Sequence, residues 1–285
     1  MSQKPETRVQ NIGDADLQYL YYDGPEPAVV LLHATGFQPW LWHPIARKLN
    51  VSHRIIAPYF CDHRESDLQK GGLGWMTLAG DLTNLCKRLS LKKPLFVGHS
   101  MGATVMTFAE AIHGLGASGL ILIEPIFFPE HYYRSGVRAE DHPLVAKSLK
   151  RRNQWKSQSE VRTYLRSKPL FANWQDEFLD LYIQHGTIER EPFGLELTCS
   201  PQKEAALFMG GMPFNPWPAI LQVRCPVLIL EGEKSGNRAF IDLAMAASRF
   251  KEARLEIIAD AGHLIPMEKP DEVLAAIQAF IKTVF

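Results

Sequence analysis

The stretch "FVGHSMGATV", residues 96–105, decides the reading. An apolar run ends at Gly98, a helix-forming run begins near Gly102, and Ser100 stands between them. Glycine weakens strands and helices alike, so a pair of glycines flanking one serine needs a reason. "PLFVGHS" reads as a strand and "MGATVMTFAEA" as a helix. Joining them without a loop forces a sharp turn at Ser100, in a strained backbone region that nearby side chains would obstruct. Gly98 and Gly102 remove the obstruction. The turn would thrust the serine hydroxyl out at the carboxyl edge of a sheet. It would also leave the Met101 amide at a helix N-terminus, where the dipole favours negative charge. Gly-x-Ser-x-Gly between strand and helix is a nucleophile elbow; the bland alternative is a tight glycine turn with an idle serine.

On either side of this turn, strand-like runs alternate with helical ones. "TRVQNI" and "LQYLYY" read as an antiparallel start. "AVVLLH" (28–33), "HRIIAP" (53–58), "PLFVGH" (94–99), "LILIEP" (120–125), "PVLILEG" (226–232) and "ARLEIIAD" (253–260) follow. Continuous apolar runs suit strands buried on both faces. Between them, Leu78, Leu82, Leu85 and Leu89 recur at helical spacing, and the last helix opens with Pro270, Asp271 and Glu272. The pattern predicts an α/β fold, a mostly parallel sheet with helices on both faces. From about 127 to 218 the alternation stops, and "NQWKSQSEVRTYL", "WQDEFLDLYIQHG" and "SPQKEAALFMGG" read as successive helices without strands. The expected organisation is a core over 1–126 and 219–285 with a helical cap inserted at 127–218.

The 285 residues carry 46% hydrophobic and 22% charged side chains and a formal net charge of +0. That is the profile of an ordinary globular protein, with neither the basic face of a nucleic-acid binder nor a polybasic membrane anchor. The polar opening "MSQKPETRVQNIGDADL" has no apolar leader segment, and no apolar run approaches the ~18 residues of a spanning helix. The cysteines, Cys61, Cys86, Cys199 and Cys225, are scattered and lack metal-ligand spacing, so they read as reduced thiols in a cytoplasmic protein, with a disulfide as the lesser alternative. Cys61-Asp62-His63 has no second ligand cluster to make a metal site, and no motif calls for a cofactor. The expected partner is a small-molecule substrate; oligomeric state is not legible.

The elbow, the strand–helix alternation and the inserted cap together resemble the α/β-hydrolase family over essentially the whole chain. In that family the triad runs nucleophile, acid, histidine. The resemblance implies Ser100 as nucleophile and His263, in "IIADAGHLIPMEKP" before the last helix, as the base. The acid departs from the common pattern: where members often have Gly-x-x-Asp after the strand "PVLILEG", this chain reads "GEKSGNR". The family's second acid position, at the end of the strand before the cap, holds Glu124 in "LILIEPIFF". A carboxylate there is costly to desolvate unless paired, and a histidine N–H is a suitable partner. Glu124 is the expected acid; Glu231, Glu233 and Asp260 are its rivals.

By the same resemblance the oxyanion hole is expected from the Met101 N–H and the Thr35 N–H. The latter lies in His33-Ala34-Thr35-Gly36-Phe37, where a typical member has His-Gly-x. Phe37, Trp40 and His99 are placed at the substrate pocket, with core packing as the alternative for the two aromatics. The cap's Phe127, Phe128, Trp155, Trp174, Phe193, Phe208, Phe214 and Trp217 suggest a largely apolar pocket. The basic "KSLKRRNQWK" (147–156) reads as a solvated helix face, with attraction of an anionic substrate as the alternative. The loop "APYFCDHRESD" (57–67) reads as solvated or salt-bridged.

The leading expectation is a serine hydrolase cleaving a carboxylic ester through an acyl-enzyme. A thioester, lactone or carbon–carbon bond would serve the same triad. A ligand-binding protein without turnover is the reading from another class. Haloalkane dehalogenases and epoxide hydrolases, which resemble this family, use an aspartate at the elbow, and this elbow carries serine.

Overall fold

The computed structural model describes residues 4–134, 139–192 and 194–285. Its main sheet has eight strands: β1 (Glu6–Asn11), β2 (Asp16–Tyr22), β3 (Val29–Leu32), β4 (Ile55–Pro58), β5 (Leu95–His99), β6 (Gly119–Ile123), β10 (Val227–Gly232) and β11 (Ala253–Ile258). Strands β7 (Gln154–Trp155), β8 (Thr187–Arg190) and β9 (Gly194–Leu197) form a separate small sheet. The main order is β1-β2-β4-β3-β5-β6-β10-β11. β2 is antiparallel to both β1 and β4, and the pairs from β4 onward are parallel.

The continuous apolar runs follow from burial on both faces. Along β3, Val30 and Leu32 join one core with Phe96, Leu120 and Leu122. Val29 and Leu31 join the opposite core with Val97, Ile121 and Ile123. This is the two-residue alternation of a strand with apolar layers on each side. Helices α2 (Trp75–Arg88) and α3 (Met101–His113) supply the first core, through Leu78, Leu82, Leu85, Met106 and Phe108. Helix α1 (His43–Leu49) supplies the second through Ile45 and Leu49. The C-terminal helix Pro270–Val284 adds Val273, Ile277 and Phe280 to that second core.

Between β6 and β10 the chain leaves the sheet. It forms α4 (Glu130–Arg134), α5 (Pro143–Leu149), α6 (Gln158–Arg166), α7 (Asp176–Gly186), α8 (Pro201–Gly210) and α9 (Trp217–Ile220). The expectation of a purely helical cap is corrected here. β7, β9 and β8 make a three-stranded antiparallel sheet. These strands have two to four residues and β8 is mostly exposed, too short for an alternating pattern to register. The cap's apolar interior gathers Trp155, Val161, Leu165, Trp174, Phe178 and Tyr182, with Phe37 of the core.

The cysteine reading is also corrected: Cys61 and Cys199 form a disulfide across 138 residues, their Cα atoms 6.0 Å apart. Cys86 and Cys225 are free thiols. Spacing in sequence could not show this, because the fold alone brings a core loop and a cap loop together. The pairing withdraws the support that reduced thiols gave to a cytoplasmic location. Among the described residues no helix is long and apolar enough to cross a membrane.

The elbow glycines are needed for close packing. A Cβ on Gly102 would lie 2.7 Å from the Leu32 carbonyl oxygen and 2.8 Å from that of His33, and one on Gly98 would lie 2.7 Å from the Ala103 nitrogen. These are backbone atoms and cannot step aside. Gly102→Ala is expected to destabilise the fold by about 2–4 kcal/mol through overpacking. Denaturant midpoints of the two proteins measure this.

Candidate active site

Ser100 directly follows β5 and precedes α3, at φ 54° and ψ −114°. A serine at positive φ is strained and persists only where its surroundings fix it. Its amide donates to the Ile123 carbonyl at 2.8 Å, binding the turn to the end of β6. Met101 is the first residue of α3, so its N–H has no partner within the helix. Thr35 lies in the turn after β3 and is nearly buried. Among the described residues the Ser100 hydroxyl has no hydrogen-bond partner; such bonds often form only once substrate is in place.

Glu124 directly follows β6 and is also strained, at φ 50°. It is 1% exposed, so its carboxylate must be satisfied from within the protein. The Gly232 amide donates to Oε1 at 2.7 Å, and the Ser235 hydroxyl to Oε2 at 2.7 Å. His263 Nδ1 lies 2.9 Å from Oε2. The rivals are engaged elsewhere: Glu233 accepts from the Asp260 amide at 2.9 Å, Asp260 pairs with Lys234 at 2.6 Å, and Glu231 pairs with Arg238 at 2.6 Å. The loop "GEKSGNR" lacks an acid but contributes Ser235, a role its sequence did not signal.

Asn237 adds a second contact, its side-chain amide 3.0 Å from His263 Nδ1. With Nδ1–H directed at Glu124 the ring offers no lone pair there, so an amide turned to present its oxygen fits this contact. His99 Nε2 donates to the His263 carbonyl at 2.9 Å. Burial drives the His99 pKa down to about 3, so the ring stays neutral and the tether holds at ordinary pH.

The residues expected at an open pocket are mostly packed. Trp40 stacks on His185 of α7 with ring centroids 3.8 Å apart and 4° between planes. Phe37 contacts Trp174 and Tyr182 at 5.4 and 5.8 Å. Phe37 and His99 also border a cavity of about 10 Å³ with His33, Leu41, Trp42 and Met267, space for little more than one water. Trp155 and Trp174 belong to the cap interior, while Phe127 and Trp217 join the core. Phe208 and Phe214 pack at the margins of such clusters. Phe128 stacks on Phe240, and Phe193 lies outside the described residues. A cavity of about 480 Å³, lined by Phe127, Trp217, Glu231, Arg238, Phe240 and Asp242 among others, touches neither Ser100 nor His263.

The basic stretch is corrected in part. Arg151 turns inward: Nη1 donates to Glu204 Oε1 at 2.8 Å and Nη2 to the Tyr182 hydroxyl at 3.1 Å. Glu204, on α8, lies over Gly36, where an ideal Cβ would come within 2.2 Å of its Oε1. Gly36 has φ +75°, so the loop's conformation and the carboxylate above it both demand glycine. The 57–67 loop is salt-bridged through Arg64 to Asp81 at 2.6 Å, and His63 Nε2 lies within hydrogen-bond distance of the same carboxylate at 2.8 Å.

The profile of the Alpha/beta hydrolase family matches residues 29–276. This chain belongs to the α/β hydrolase family. It is 20% identical over 272 residues to (E)-2-((N-methylformamido)methylene)succinate hydrolase of Acinetobacter baylyi, covering 93% of this chain and 94% of that one. It is 23% identical over 269 residues to N-formylmaleamate deformylase of Pseudomonas putida, covering 92% and 91%. An uncharacterized protein of Mycobacterium tuberculosis is 31% identical over 87 residues, which is 30% of this α/β hydrolase but only 26% of the mycobacterial chain. Among solved structures, E-2-(acetamidomethylene)succinate hydrolase superposes with TM-score 0.82 at 21% identity, over 98% of this chain and 100% of that chain.

Proposed function

We propose that this α/β hydrolase is a serine hydrolase that cleaves a carboxylic ester of a small, largely apolar substrate through an acyl-enzyme. The observation that carries the reading is the contact at 2.9 Å between His263 and the buried Glu124, in a fold that also holds a strained serine at a helix N-terminus. Glu124 fixes the tautomer with the proton on Nδ1, leaving Nε2 free to accept the Ser100 proton. The Ser100 oxygen then attacks the carbonyl carbon. The imidazolium formed is stabilised by Glu124 and returns the proton to the leaving alcohol. Water, activated by the same histidine, hydrolyses the acyl-enzyme. The Met101 and Thr35 amides stabilise the carbonyl oxygen as it becomes negative.

The test is turnover of short-chain p-nitrophenyl esters, with fluorophosphonate labelling read by intact mass. Turnover with the label on Ser100 is expected. Labelling without turnover would move the reaction to a thioester, lactone or carbon–carbon bond. The absence of both turnover and labelling would overturn the enzyme reading in favour of a ligand-binding protein.

Arg151 favours a second reading, in which the substrate carries a free carboxylate. Its guanidinium has five N–H donors, and Glu204 and Tyr182 take one each. The succinate and maleamate relatives act on compounds named as acids or amides of acids. On this reading Arg151→Gln raises KM about tenfold for a carboxylated ester and leaves the matched neutral ester unchanged, about the worth of one charge-assisted hydrogen bond. Equal KM values for both esters would return the assignment to a neutral substrate.

A further inference from the structure

The Cys61–Cys199 disulfide joins the two layers that meet at the oxyanion loop. On the core side, Cys61 follows Phe60, whose N–H donates to His33 Nε2 at 2.9 Å. His33 is buried, with its pKa pushed down to about 4, so Nε2 remains an acceptor. The proton then sits on Nδ1, which donates to the Ala34 carbonyl at 2.8 Å. A short chain of hydrogen bonds thus runs from the Cys61 segment into residues 33–36. On the cap side, Cys199 precedes Ser200, whose hydroxyl accepts the Lys203 amide at the start of α8. Glu204 follows on that helix and lies over Gly36.

The later turns of α8 have their own attachment. The Leu73 amide donates to the Ala206 carbonyl at 3.0 Å, and Trp75 Nε1 to the Leu207 carbonyl at 2.7 Å. The disulfide holds the opposite, N-terminal end, next to Glu204. Both cysteines are nearly buried, at 8% and 6% exposure, so a small dithiol reaches the bond through local opening of the cap.

We propose that Cys61–Cys199 is a redox-dependent strap that seats α8 on the oxyanion loop, so that turnover depends on whether the strap is closed. The proposal rests on the serine-hydrolase reading of the site. Opening consumes one dithiol: the S–S bond breaks, two electrons and two protons pass to the sulfurs of Cys61 and Cys199, and the dithiol becomes its own disulfide. The start of α8 then keeps the Arg151–Glu204 pair but loses its covalent tie to the Cys61 segment, the seat of Glu204 over Gly36 loosens, and the Thr35 amide is less well aimed.

The test begins with thiol counting on the denatured protein, which is expected to give two thiols before reduction and four after. Turnover of a p-nitrophenyl ester is then measured with the strap closed, after dithiothreitol, and in a Cys61→Ser, Cys199→Ser double variant. Opening is expected to lower kcat on the order of tenfold, a fraction of the cost of losing an oxyanion donor outright, and to change KM less than twofold. Reoxidation restores the wild type, and the double variant stays low and ignores dithiothreitol. Four thiols in the purified protein would overturn the proposal, as would an unchanged kcat with the strap open. A fall in kcat accompanied by loss of far-ultraviolet circular dichroism would also overturn it, since the bond would then serve stability alone. Turnover retained in Ser100→Ala sinks the serine-hydrolase reading separately, because the thiol count does not depend on it.

Discussion

Ser100→Ala is expected to abolish turnover, with kcat falling about 10⁶-fold, the loss seen when a nucleophile that works as a unit with its base is removed. The fold should survive. The backbone at Ser100 has φ 54°, and alanine accepts that conformation at about the cost serine does, since both carry a Cβ. The Ser100 amide keeps its bond to the Ile123 carbonyl. An unchanged melting temperature with no turnover and no fluorophosphonate label is the expected result. Activity retained in the variant would remove Ser100 from the reaction.

Glu124→Gln is expected to cost on the order of 10⁴ in kcat, because an amide in that place favours the wrong imidazole tautomer. The geometry makes the reason specific. Two donors, the Gly232 amide and the Ser235 hydroxyl, point at the Glu124 oxygens at 2.7 Å. A glutamine offers one carbonyl oxygen and one NH2, so its nitrogen must face either a donor or the histidine. Glu233→Gln is expected to change kcat by no more than about twofold, since Glu233 only accepts from the Asp260 amide on the surface. Measuring both variants at one substrate concentration range decides between the two carboxylates; equal losses would move the acid away from Glu124.

The sheet was readable because β3, β4, β5, β6 and β10 are buried along their whole length, so each prints a continuous apolar run. Glu124 was readable for the same reason, as a charge that interrupts the end of such a run. What stayed hidden depends on contacts made at long range. The cap sheet uses strands of two to four residues. The disulfide joins positions 138 apart. Arg151 sits in a basic stretch and resembles a solvated charge until Glu204 is brought to it. Phe37 and Trp40 have side chains suited to a pocket or a core, and only the arrival of Trp174, Tyr182 and His185 chooses packing.

Phe37 lies two residues from Thr35, yet it is buried among Trp155, Phe171, Trp174 and Tyr182. The loop that would aim a catalytic amide is therefore moulded partly by side chains of the insertion. The insertion is not an interchangeable module. A chimera that grafts another family member's cap onto this core would inherit a mismatched socket for Phe37, and would recover function only by exchanging residues 33–37 along with it. Over evolutionary time these two distant segments must change together.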